Sequence, residues 1–192
     1  IAATGADEVD WVGTSMGGII GMMLAAMPNT PIRRLVLNDI GPVVAVEGLR
    51  RIAGYVGRDV RFPDFDAAYS TVRAVATGFG PMTEAQWRRF VEVQLRSEPG
   101  GSYRFNYDPA IAWSLAEAPA ADVTLWNVWD AIRVPVFVLR GQISDLLRAD
   151  TLDEMKRRGP PCETIEVEGI GHTPALVDNM QIEAVRQFLL KD

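Results

Sequence analysis

The sequence predicts an α/β protein: a short parallel β-sheet covered by helices, with a helical block inserted between two of its strands. Three observations carry that prediction. Runs rich in Val, Ile and Leu alternate with amphipathic stretches of helical period, as a sheet buried on both faces requires. An apolar strand reverses abruptly into a helix through Gly13-Thr14-Ser15-Met16-Gly17. Residues 42–132, lying between two such strands, keep helical periodicity and carry no strand run.

The elements follow in chain order. Ile1-Ala2-Ala3-Thr4-Gly5 reads as the last turn of a helix closed by glycine. There is no initiator methionine, so a preceding segment is expected. Val9–Thr14 is the first strand, apolar on both faces as a central strand is, and residues 16–26 the first helix, stopped by Pro28. Residues 33–40 form the second strand, ended by Gly41-Pro42. Helices are then expected at 48–56, 66–78, 84–95 and 125–131, broken at Phe62-Pro63, Gly80-Pro81, Pro99-Gly100-Gly101 and Pro119. Four of the five tryptophans fall in this block, and its aromatics are expected to build its own core, one or two of them facing the serine. The third and fourth strands are 134–141 and 164–168, with helices at 151–158 and 181–190. The domain reading is therefore a core of residues 1–41 and 133–192 and a helical cap of residues 42–132.

Composition narrows the function classes. With 48% apolar and 23% charged residues the chain has globular composition, and a net charge of −6 argues against a nucleic-acid partner. No apolar run reaches the ~18 residues of a membrane span, and no signal peptide opens the chain, so a cytoplasmic location is expected. The single cysteine, Cys162, excludes an internal disulfide and any cysteine-based metal site, and reads as a half-buried filler. No metal or other cofactor is expected.

The strand–turn–helix at Ser15 has a chemical reading. The turn holds the serine in a strained conformation with its hydroxyl above the sheet edge, and a Cβ at Gly13 or Gly17 is expected to clash with the close flanking backbone. The first amides of the helix point into the same space, so the Met16 N–H is placed to meet a developing oxyanion. A serine nucleophile needs a base, and the chain holds one histidine. His172 lies in Gly169-Ile170-Gly171-His172-Thr173-Pro174, a glycine-rich loop after the fourth strand. In parallel sheets, reactive groups gather outside the carboxyl ends of the strands. The orienting acid is read as Asp145, in the loop after the third strand, which gives the order Ser…Asp…His. Asp39, at the end of the second strand, is the rival, and is otherwise read as capping a turn ahead of Gly41-Pro42.

Four segments together carry a resemblance: Gly13-Thr14-Ser15-Met16-Gly17-Gly18, Leu37-Asn38-Asp39-Ile40-Gly41-Pro42, Leu139-Arg140-Gly141-x-x-Ser144-Asp145-Leu146-Leu147 and Gly169-x-Gly171-His172-x-Pro174. In this order they resemble the α/β-hydrolase superfamily, and most closely its bacterial members with a helical cap. The resemblance implies Ser15 as nucleophile, Asp145 as acid, His172 as base and Met16 as an oxyanion donor. It also implies a serine hydrolase, with carboxylic-ester hydrolysis through an acyl-enzyme and a small-molecule ester as substrate. A serine at the elbow disfavours the epoxide and haloalkane chemistries, whose members normally carry aspartate there. One departure stands out. In that superfamily the elbow follows the fifth strand, whereas here it follows the first. The chain thus corresponds to the C-terminal half of the hydrolase sheet, without the loop that supplies a second oxyanion N–H. An N-terminal fragment, or self-association through the Val9–Thr14 edge, is expected as partner. The alternative is a catalytically impaired remnant that acts only by associating with another chain.

Overall fold

A computed structural model describes residues 1–115 and 120–191. After a short 3₁₀ turn at Ala2–Thr4, closed by left-handed Gly5, the chain runs through β1 (Val9–Thr14), α1 (Met16–Ala25) and β2 (Ile32–Asn38). It continues with β3 (Val43–Val44), α2 (Val46–Ala53), β4 (Arg61–Phe62), α3 (Phe65–Val75), α4 (Glu84–Glu92), β5 (Leu95–Ser97), β6 (Tyr103–Phe105), β7 (Val123–Thr124) and α5 (Trp126–Ala131). It closes with β8 (Val136–Gly141), α6 (Ala149–Arg157), β9 (Cys162–Val167) and α7 (Asn179–Leu189). The strands of the main sheet lie in the order β1-β2-β8-β9, every neighbouring pair parallel. All four carboxyl ends therefore share one edge.

The inner strands are buried on both faces, as their uninterrupted apolar runs require. Leu35, Val36 and Leu37 of β2 and Val136, Val138 and Leu139 of β8 are fully enclosed. The edge strand differs. On β1, Asp10, Val12 and Thr14 are exposed while Gly13 is buried, so the strand is covered on one face, not on both as its sequence suggests. The covering element is α1, held close by small residues. A Cβ at Gly21 would come within 2.6 Å of the Trp11 ring. That ring also donates its indole N–H to the Gly17 carbonyl at 2.9 Å.

Residues 42–132 are inserted between strands that are neighbours in the sheet, and they differ from a purely helical block. α2, α3 and α4 fall where helical periodicity places them, the latter two capped by Asp64 and by a Thr83–Gln86 capping box. Between them, β4, β6 and β5 form a small antiparallel sheet. Its strands are two or three residues long, too short for a period-2 pattern to register in sequence. Tyr69, Val72, Ala76, Trp87 and Val91 make a core of the insertion's own. α5 behaves otherwise, since Trp129 and Ile132 are buried in the main core with Met22, Leu35 and Val136. The break expected at Pro119 lies outside the described residues. The insertion leaves and returns through a paired neck, where β3 and β7 run antiparallel and the Leu125 N–H meets the Pro42 carbonyl at 2.6 Å.

Candidate active site

Each strand end delivers one part of the site. Ser15 follows β1 directly and stands at the N-cap of α1 with φ 49° and ψ −118°, a left-handed-side conformation that costs a non-glycine residue strain. Its N–H is tied to the Asn38 carbonyl of β2 at 3.2 Å. Gly13 allows the turn, because a Cβ there would fall on the backbone of Gly17 and Gly18. Gly17 has no such duty. A Cβ on it would meet nothing within 4 Å, which corrects the expected clash. Met16 is the first residue of α1, so its amide is among those a helix leaves without an intrahelical acceptor.

His172 sits in the loop after β9, its side chain 7% exposed. Nε2 lies 3.0 Å from Ser15 Oγ and Nδ1 lies 2.7 Å from Asp39 Oδ2. An ionised carboxylate only accepts, so the geometry places the ring proton on Nδ1 and leaves Nε2 free to accept from the serine.

The carboxylate on His172 is thus that of Asp39, which corrects the expectation that Asp145 stands there. Asp39 is the first residue beyond β2, fully buried, at φ 55°, a left-handed conformation that aspartate tolerates better than most residues. Its N–H bonds the Leu139 carbonyl at 2.8 Å, and its Oδ1 accepts from the Gly141 N–H at 2.8 Å. It caps no turn of its own. Asp145 stands further out, in a loop that has already turned away from the end of β8. There Arg51 of α2 takes both of its oxygens, at 2.6 and 2.8 Å. Hydrogen bonding from Arg51, more than charge alone, holds the Asp145 carboxyl below its usual range. Nothing near Asp145 in sequence announces Arg51.

Two further residues belong to the site; the sequence places both in a motif but assigns neither a role. Ser144 Oγ lies 2.5 Å from Asp39 Oδ2. Gly141 admits the His172 loop, since a Cβ there would overlap the Gly171 carbonyl. The insertion reaches this edge as well. The Gly78 carbonyl accepts from the Gly171 N–H at 3.0 Å, and Gln86 Nε2 donates to the Val177 carbonyl at 3.0 Å. Among the described residues, no group of three His, Cys, Asp or Glu side chains could hold a metal ion. Nor is any helix among them long and apolar enough to cross a membrane.

Known proteins resemble the chain over nearly its whole length. The chain is 41% identical over 196 residues to the 3-hydroxybutyrate-oligomer hydrolase of Cupriavidus necator, covering 98% of this chain and 67% of that protein. A hydrolase from Rickettsia typhi superposes with a TM-score of 0.88 at 31% identity, over 98% of this chain and 64% of that one. An alpha/beta hydrolase from Novosphingobium aromaticivorans gives 0.85 at 34% identity, over 98% and 67%. The chain thus spans about two thirds of the length of these relatives. Residues 1–185 match the alpha/beta hydrolase family throughout, and the chain belongs to that family.

Proposed function

We propose that this chain is the catalytic portion of a serine hydrolase that cleaves carboxylic esters through an acyl-enzyme on Ser15. The observation that carries the reading is the continuous line from Ser15 Oγ to His172 Nε2 at 3.0 Å and from His172 Nδ1 to Asp39 at 2.7 Å. In the first half-reaction Ser15 Oγ attacks the ester carbonyl carbon while its proton passes to His172 Nε2. The tetrahedral oxyanion turns toward the Met16 N–H. Collapse breaks the ester C–O bond, and the departing alkoxide takes the proton from His172 to leave as the alcohol. In the second half-reaction His172 accepts a proton from water, the hydroxide attacks the acyl carbon, and Ser15 is released with its proton restored. Asp39 stays ionised throughout and stabilises the imidazolium that forms twice.

The proposed substrate class is supported by the relative named as a 3-hydroxybutyrate-oligomer hydrolase, whose oligomers are chains of ester-linked hydroxy acids. Short hydroxyacyl esters are accordingly proposed here. The insertion would roof the site, as its contacts to Gly171, Val177 and Asp145 support. Labelling with a fluorophosphonate tests the central claim. A mass shift on Ser15, absent in Ser15→Ala, is expected. Labelling elsewhere, or none while a 3-hydroxybutyrate dimer is still hydrolysed, would overturn it.

A further inference from the structure

Asp39 is satisfied by more than the histidine. Its Oδ2 carries two donors, His172 Nδ1 at 2.7 Å and Ser144 Oγ at 2.5 Å, while Oδ1 holds the Gly141 N–H at 2.8 Å. The Ser144 hydroxyl has little freedom over where its proton goes. The N–H groups of Leu146 and Leu147 both approach its oxygen at 3.2 Å and occupy its two lone pairs. What remains is the O–H itself, and the residue is only 8% exposed, so solvent does not compete for it. A separation of 2.5 Å is that of a hydroxyl donating to a charged carboxylate. A serine needed only for the turn would accept from those amides and leave its proton to water.

The loop bearing Ser144 is itself clamped. Arg140 Nε donates to the Leu147 carbonyl at 2.8 Å, Gln142 N–H to Val167 at 3.0 Å and Ile143 N–H to Ile170 at 3.0 Å. Ser144 is thus presented from a rigid support, tied on one side to β9 and on the other to the loop that carries His172.

We infer that Ser144 is a positioning residue of the hydrolytic site: its forced hydroxyl donor fixes the Asp39 carboxylate, and through it the ring plane and tautomer of His172. The inference rests on the proposed triad. Its consequence is a division of labour on one oxygen. Ser144 and His172 share Oδ2, so part of the carboxylate charge is spent on the serine. Removing that donor frees the charge for the imidazolium but loosens the carboxylate that aims it. The two effects separate experimentally, the first in the pH profile and the second in kcat.

The chain's single histidine makes the test direct, because every imidazole signal belongs to His172. Ser144→Ala should lower kcat about tenfold with KM little changed, as expected for an aiming defect well short of the loss on removing a triad member. The acid limb of kcat/KM should move to higher pH, because hydrogen bonds to a carboxylate compete with its pairing to a cation. In ¹⁵N-histidine spectra the downfield Nδ1–H signal should broaden. Ser144→Cys, of similar volume and with a weak donor, should fall between the two and guards against a folding defect in the alanine variant. A Ser144→Ala protein with wild-type kcat, pH profile and Nδ1–H signal would overturn the inference, even if its melting temperature fell. Asp39→Asn, run alongside, distinguishes the two failures: if it too retains full activity, the triad reading falls, and if it alone is inactive, only the role of Ser144 does.

Discussion

At Ser15, Asp39 and His172 the proposed chemistry depends on two hydrogen bonds, and the two aspartates near them are separable by experiment. Asp39→Asn keeps the shape but can favour the wrong imidazole tautomer, and is expected to lower kcat by about 10⁴-fold. Asp145→Asn should leave kcat near wild type, because that carboxylate is engaged by Arg51 and both side chains are about 40% exposed. A half-exposed pair of this kind contributes about 0–1 kcal/mol to stability. Its sign with pH is fixed. The folded Asp145 carboxyl lies below its ordinary value, so the pair stabilises at neutral pH and loses its contribution as acid protonates the carboxylate. The difference in melting temperature between Asp145→Asn and the parent should therefore vanish once the pH falls well below about 3.9. Cys162 gives a third outcome. Burial pushes its thiol up to about 12, so a disulfide reagent at pH 8 should leave it untouched in the native protein and modify it only after unfolding. That Ser15 and His172 meet is legible from sequence because the elbow has a local signature and the histidine has no competitor. Which carboxylate joins them is not. Asp39 and Asp145 both follow strands, and what separates them is an Arg51 contact spanning 94 positions together with a left-handed φ at Asp39.

Among the elements, the β1–α1 turn makes the sharpest demand on sequence. Gly13 and Gly17 flank the serine symmetrically in the motif yet meet different surroundings. A Cβ at 13 would fall on backbone that cannot yield, so Gly13→Ala is expected to destabilise by about 3 kcal/mol or more. A Cβ at 17 enters open space on a helix, where alanine is the better helix former, so Gly17→Ala should stabilise by about 0.5–1 kcal/mol. Urea midpoints of the two variants moving in opposite directions would bear this out. The long elements, β1, β2, β8, β9 and α1, are legible because each is six residues or more, long enough for an apolar run or an alternation to register between turn signals. The β4-β6-β5 sheet is not, since its pairing depends on partners such as Phe62 and Tyr103, 41 positions apart. α5 was assigned to the insertion by position alone. Its burial of Trp129 in the main core depends on an α1 face that only the folded chain assembles.

For the whole molecule, the outer edge of β1 has no strand beside it among the described residues. Val12 of that strand is 45% exposed, and Met16, Ile20 and Met23 along α1, with Met27 just past its end, are 43–57% exposed. On the other flank, Leu176, Ile182, Val185, Leu189 and Leu190 line an apolar groove of about 350 Å³ beside α7. A row of free strand amides between two apolar faces favours association. We propose that a companion segment or a second copy adds to β1. Sedimentation at micromolar concentration should then show a species heavier than the 21.1 kDa monomer, and ester turnover should rise when the N-terminal third of a longer relative is supplied in trans. A stable monomer with unaided turnover of about 1–10³ per second would refute both. The neck at Pro42 to Val44 and Val123 to Leu125 has a consequence of a different kind. Because the chain departs and returns at one paired point, the polypeptide between can be exchanged as a cassette while Ser15, Asp39 and His172 stay on strand ends outside it. A graft of another family member's insertion, spliced at β3 and β7, should keep fluorophosphonate labelling of Ser15 while changing which esters are cleaved.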